Sequence, residues 1–197
     1  MRPIVLERPP AGEAVGALVF FHGYYGMEDD FEPLLDEIDP RRRYHGYLPR
    51  GHVPVPGGRA SWFEQESIGA VLDSDGPLLP WLAGLPFGPE QTVLAGWSQG
   101  AALASLLGLA RGRPRPAAIM ALGGFYPFDD VPLDLRPPFP PILMAHGRAD
   151  DVVPVEEVRR VVERLRAAGA AVDYHESDVD HHLDPAVKPA LRAFLDR

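Results

Sequence analysis

Apolar positions in this chain come in short blocks separated by polar, glycine- and proline-bearing joints, and the blocks show two periods. Residues 14–21, 91–96, 117–122 and 142–145 are nearly continuous apolar runs, which suits strands buried on both faces of a parallel sheet. Shorter runs at 44–48 and 171–175 complete the predicted strands. Between them the spacing turns helical. Phe31, Leu34, Leu35 and Ile38 share one face and stop before Pro40. Val155, Val158, Val161, Val162 and Leu165 form a stripe, with Glu156 and Glu157 in the first turn, where the helix dipole favours acids, and Gly169 as a stop. Residues 99–110 are apolar nearly all round and predict a buried helix, and 185–195 predict a last one. Weaker helical patterns occupy 64–72 and 78–85, interrupted by Asp75-Gly76-Pro77. Strands alternating with helices predict an α/β fold: one domain over residues 1–197, with a compact, mostly parallel sheet covered by helices on both faces.

Composition narrows the function. The 20 glycines and 23 prolines lie between the apolar blocks and read as turns. Prolines at 127, 132, 137, 138, 140 and 141, and the Pro/Gly-rich stretch 49–58, oppose a helical lid. With no cysteine there is no disulfide framework, thiol nucleophile or Cys-ligated zinc. A net charge of −9 argues against a nucleic-acid or anionic-membrane partner. No apolar run approaches the length of a membrane span and the N-terminus lacks a signal-peptide core, so a cytoplasmic protein without stable membrane insertion is expected. The Arg41-Arg42-Arg43 run reads as a solvated loop.

The chemistry enters at Gly96-Trp97-Ser98-Gln99-Gly100, a G-x-S-x-G pattern between a predicted strand and a predicted helix. Six serines and a glycine at one position in ten give about 0.06 such matches by chance. A sharp strand-to-helix turn lifts the serine above the sheet edge. The flanking glycines let neighbouring backbones approach, and the helix N-terminus aims amides at a developing oxyanion. A serine needs a base, itself oriented by an acid, and in this architecture the acid and then the histidine follow the serine in the chain. His146, His175, His181 and His182 are the histidines after Ser98. His146 ends a strand and reads as turn support, and His175 lies within a strand. His181 and His182 lie in a loop that can reach the sheet edge. Asp150 and Asp151 follow the 142–145 strand and are the acids in place.

These patterns together resemble the phospholipase/carboxylesterase family of α/β-hydrolases, which includes the acyl-protein thioesterases. The resemblance runs through FFHG at 20–23, LPRG at 48–51, SWFE at 61–64, GWSQG at 96–100, ALGGFYP at 121–127, HGRADDVVP at 146–154 and DHHLDP at 180–185. It implies an α/β-hydrolase fold and a serine esterase that needs no cofactor. It also implies Ser98 as nucleophile, Asp150 as acid and His181 as base, with the backbone N–H groups of Tyr24 and Gln99 as the oxyanion hole. Trp62, Phe63, Phe125 and Val153 are the candidate substrate-binding side chains. The expected partner is a small acyl ester, with thioester and lysophospholipid sharing the same acyl-transfer step, and a homodimer is left open. Two other readings compete. The cluster Asp178, Asp180, His181, His182 and Asp184 has metal-ligand chemistry, although adjacent histidines in extended chain point to opposite sides. A non-catalytic binding module on the same fold is the other.

Overall fold

The computed structural model describes residues 3–64, 77–126 and 132–197, and among these seven strands form the main sheet, in the order β1-β3-β2-β6-β7-β8-β9. The strands are β1 (Val5–Arg8), β2 (Ala17–Phe21), β3 (His45–Pro49), β6 (Thr92–Trp97), β7 (Ala118–Leu122), β8 (Ile142–Gly147) and β9 (Val172–Ser177). All neighbouring pairs are parallel except β1 with β3, so the sheet is mostly parallel with one antiparallel edge.

Side chains alternate across the sheet as strand geometry requires. Leu18 and Phe20 of β2, Val93 and Ala95 of β6, and Leu143 and Ala145 of β8 pack on one face with α1 (Glu32–Ile38) and α5 (Lys188–Leu195). Ala17, Val19 and Phe21 of β2 and Leu94 of β6 face the other way, against α2 (Leu78–Ala83) and α3 (Gln99–Leu109). Ile142 and Met144 of β8 continue that second face under α4 (Val155–Ala167). Every residue of α3 is buried, which explains why its sequence has no polar side.

Strand β1 escapes a reading based on hydropathy. It has four residues, two of them charged, and it carries Arg8 into the interior at 2% exposure. The guanidinium is answered from α1 and its end: Nε donates to Asp36 at 2.7 Å, and Nη2 donates to the Asp39 carbonyl at 2.7 Å. The Pro/Gly-rich stretch after β3 holds a small hairpin, β4 (Val53–Val55) with β5 (Arg59–Ser61), joined through Gly57 and Gly58 at positive φ. The predicted helix at 64–72 lies outside the described residues from 65 on, as does 127–131 of the proline-rich segment. No helix among the described residues is long and apolar enough to cross a membrane. The three arginines at 41–43 are engaged in ion pairs: Arg42 with Asp36, and Arg41 and Arg43 with Asp196.

The strand order reverses between β2 and β6: the chain runs outward from β2 to β3, then returns past β2 to β6 and proceeds to β9. Open α/β sheets bind ligands beside the strand C-termini at such a switch point. The loops after β2, β6, β8 and β9 all emerge at that edge.

Candidate active site

Ser98 sits between β6 and α3 at φ 52°, ψ −115°, a conformation that a non-glycine residue adopts only when its surroundings enforce it. The surroundings are close backbone. A Cβ on Gly96 would collide with the Gly100 carbonyl, and one on Gly100 would collide with the Phe21 carbonyl. The Ser98 amide is anchored by donating to the Leu122 carbonyl at 2.8 Å.

From the far end of the sheet, β8 and β9 deliver an acid and a histidine. His181 Nε2 lies 3.0 Å from Ser98 Oγ, and His181 Nδ1 lies 2.7 Å from Asp150 Oδ2. A carboxylate only accepts, so Nδ1 carries the hydrogen and Nε2 is left to accept from the serine hydroxyl. Asp150 is buried, and its Oδ1 accepts from the amides of Val152 and Val153 at 3.0 and 2.8 Å. Burial opposes ionisation of this carboxyl, but the Val153 amide, His181 and the Val152 amide outweigh it and hold its pKa below the ordinary aspartate value. The Trp97 indole stands 5.2 Å from the His181 ring. Gly123, at φ 56°, makes room for that indole, because a Cβ there would come within 2.6 Å of it.

The alternatives weighed from sequence separate clearly. Asp151 is exposed, and the His182 ring turns to Asp180. Asp178 pairs with Arg148, so the acidic and histidine cluster disperses to different partners. Among the described residues no three His, Asp or Glu side chains converge in a way that could hold a metal ion. His175 turns to Asp173. His146 does more than support a turn: its buried Nε2 donates to the Val153 carbonyl at 2.8 Å and lies 3.2 Å from Asp150 Oδ2.

A cleft of about 740 Å³ opens beside Ser98, lined by Tyr24, Val55, Phe63, Phe125, Val153 and Glu157 among others. Trp62 is a correction. It is 1% exposed and does not line the cleft; its indole packs edge-on against Phe21 and donates to the His22 carbonyl at 2.8 Å. It braces the loop after β2 from behind, because its ring fills the core while its neighbour Phe63 takes the wall.

His22 was not singled out from sequence. It is buried and neutral by construction: Nδ1 donates to the Gly23 carbonyl at 2.7 Å, and Nε2 accepts from the Gly51 amide at 2.9 Å. Burial is the main cause that holds its pKa below the ordinary histidine value. Its position at the end of the first apolar block, just before glycine, was the available signal.

The switch-point cleft, the strained serine at a strand-to-helix turn and the histidine and acid from the last two strand ends define an α/β-hydrolase. The profile of the Phospholipase/Carboxylesterase family matches residues 79–197, and the chain belongs to that family, whose members are hydrolases of the esterase type. The chain is 34% identical over 143 residues to acyl-protein thioesterase 1 of Mycosarcoma maydis, covering 67% of this chain and 55% of the other. It is 29% identical over 116 residues to acyl-protein thioesterase 1 of Emericella nidulans, covering 55% and 48%. It therefore spans about half the length of the curated relatives it matches. Among solved structures, esterase PE8 superposes with a TM-score of 0.80 at 26% identity, covering 100% of this chain and 99% of the other. A Bacillus cereus carboxylesterase superposes at 0.77 and 20% identity, covering 98% and 92%, a likeness of fold.

Proposed function

We propose that the protein is a serine hydrolase that cleaves carboxylic esters, thioesters among them, through an acyl-enzyme on Ser98. One observation carries the reading: a hydrogen-bonded line from Ser98 Oγ through His181 to Asp150, at 3.0 and 2.7 Å, on the edge of an apolar-walled cleft. Ser98 Oγ attacks the carbonyl carbon while its proton passes to His181 Nε2. Asp150 holds the ring orientation and stabilises the imidazolium; its depressed pKa keeps it ionised while it does so. The amides of Tyr24 and Gln99 receive the oxyanion, each such donor being worth about 3–4 kcal/mol. Collapse breaks the bond to the leaving oxygen or sulfur, which takes the proton from Nε2. Water then attacks the acyl-enzyme by the reverse proton path, releasing the carboxylic acid and restoring Ser98.

The aromatic pair Phe63 and Phe125, ring centroids 6.2 Å apart, suits the acyl chain of a small ester substrate. Acyl-protein thioesterase 1, to which the chain is similar, makes a thioester a substrate to assay beside oxygen esters. The decisive experiment labels the protein with a fluorophosphonate and maps the adduct. Modification of Ser98, lost in Ser98→Ala together with hydrolysis of an acetyl ester, supports the reading. Hydrolysis that survives Ser98→Ala but disappears on chelation refutes it in favour of a metal-dependent route.

A further inference from the structure

The Gln99 amide follows the serine, but its side chain points away from the reaction, is 6% exposed, and commits its hydrogen-bonding groups to one other segment. Gln99 Oε1 accepts from the Trp62 amide at 3.0 Å and lies 2.9 Å from the Ser61 hydroxyl; Gln99 Nε2 donates to the Phe63 carbonyl at 2.9 Å. Those three residues are the end of β5 and the start of the loop that presents Phe63 to the cleft. Phe63 meets Phe125 edge-on, and Trp62 reaches on to the His22 carbonyl. One side chain thus joins the first turn of α3 to the aromatic wall and, through Trp62, to the loop after β2.

Resting on the reading of Ser98 as the nucleophile, we infer that the Gln99 side chain is a positioning residue that makes the acyl wall and the amide beside the serine one rigid unit. A chain seated against Phe63 then fixes where the carbonyl lies relative to the Gln99 N–H. Long acyl chains exploit this coupling and an acetyl group cannot. Buried amides of this kind are costly to unpair, because each lost partner leaves a desolvated polar atom behind.

The test uses Gln99→Glu, Gln99→Met and Ser61→Ala in the full chain, assayed on matched octanoyl and acetyl esters. A neutral glutamic acid has the amide's shape, with one O–H to give to the Phe63 carbonyl and one oxygen to accept from Trp62. The ionised form sets lone pairs against that carbonyl. Burial raises a carboxyl pKa, so the activity of Gln99→Glu relative to wild type is expected to rise about tenfold as pH falls from about 8 to about 6. Taking the ratio to wild type cancels the titration both enzymes share. Gln99→Met is expected to lower kcat/KM about tenfold more for the octanoyl than for the acetyl ester. Ser61→Ala removes a hydroxyl that lies 2.9 Å from both Gln99 Oε1 and the Phe63 carbonyl, and is expected to move the octanoyl-to-acetyl ratio two- to fivefold in the same direction, which keeps a readout should a Gln99 variant not fold. A flat pH ratio, or a melting point that falls while the octanoyl-to-acetyl ratio stays put in Ser61→Ala, overturns the inference. If Ser98→Ala is inactive in the same assays, that failure leaves the serine mechanism standing; if it is active, the mechanism itself has failed.

Discussion

The two sides of Ser98 are held by different kinds of force. On the elbow side, the innermost fastening of the loops after β2, β3 and β5 is neutral and buried, a set of hydrogen bonds among His22, Gly51, Trp62 and Gln99, with the Arg50–Glu28 and Arg59–Asp30 ion pairs lying outside it. On the base side, the ends of β8 and β9 are fastened by charges at the surface. Glu176 accepts from Arg159 Nε and Nη2 at 2.8 and 2.7 Å and pairs with Arg148 at 3.1 Å, while Arg148 also pairs with Asp178 at 2.6 Å. The division follows from what each side does in the proposed mechanism. Amides that meet an oxyanion need fixed positions, which low-dielectric hydrogen bonds supply. A histidine that gains and loses a proton needs a nearby acid and some solvent, and the His181 side chain is 19% exposed.

Breaking the base side at its centre has the largest expected effect. His181→Ala is expected to lower kcat about 10⁴–10⁶-fold and Asp150→Asn about 10³–10⁴-fold, with melting temperatures within a few degrees of wild type, measured by steady-state hydrolysis and calorimetry. The second effect is on stability and tests the elbow side. Gly123→Ala must place a Cβ 2.6 Å from the Trp97 indole at φ 56°, so a loss of about 2–3 kcal/mol is expected by urea unfolding. That loss should change little with salt.

The third prediction inverts both dependences. Arg159, then Tyr174 and Arg148, hold the Glu176 pKa down at about 2 from 4.5 against the opposing effect of burial, so its contribution to stability is complete above the unfolded value. It disappears as pH falls from about 4.5 towards about 2. Glu176→Gln is therefore expected to cost about 1–2 kcal/mol at neutral pH after solvent screening, to flatten the fall in stability over that acidic window, and to matter less at high salt. Thermal melts across pH and ionic strength measure this, and equal losses at low and high salt would erase the contrast between the two sides. The smallest effect belongs to His182, whose side chain is 55% exposed against Asp180. His182→Ala is expected to stay within about 0.5 kcal/mol in stability and about twofold in kcat/KM. A dead variant would transfer the role of base by one residue.

Much of this architecture is legible in the chain without coordinates, because hydrophobic period is a local property. The runs at 91–96, 117–122 and 142–145 announce the strands found at 92–97, 118–122 and 142–147, and the nearly all-apolar stretch 99–110 announces the buried helix found at 99–109. The two glycines around Ser98 announce a turn in which only glycine fits. Residue pattern alone left four histidines and two aspartates open, and a family likeness supplied the register for Asp150 and His181. The tertiary structure turns His181 inward to Ser98 and His182 outward to Asp180, a choice made by the path of the loop after β9.

What no local pattern contained is the set of partners that lie far apart in sequence. Arg8 in an edge strand contradicts hydropathy until Asp36 and Asp39 of a helix some thirty residues on are placed against it. Trp62 and Phe63 are equivalent as apolar neighbours, yet the path of the loop after β5 sends the first indole against Phe21 and the His22 carbonyl and the second ring to the cleft beside Phe125. Gln99 reads as an ordinary polar residue at a helix start, and only the approach of β5 uses up its amide. Composition, the alternation of strand and helix and the shape of the elbow were therefore determined by sequence alone, because each depends on a few consecutive side chains. The identity of the wall, the buried brace behind it and the charge lattice at the base were decided by tertiary structure, because hydrogen bonds and ion pairs between distant segments exist only once packing has set their ends about 3 Å apart.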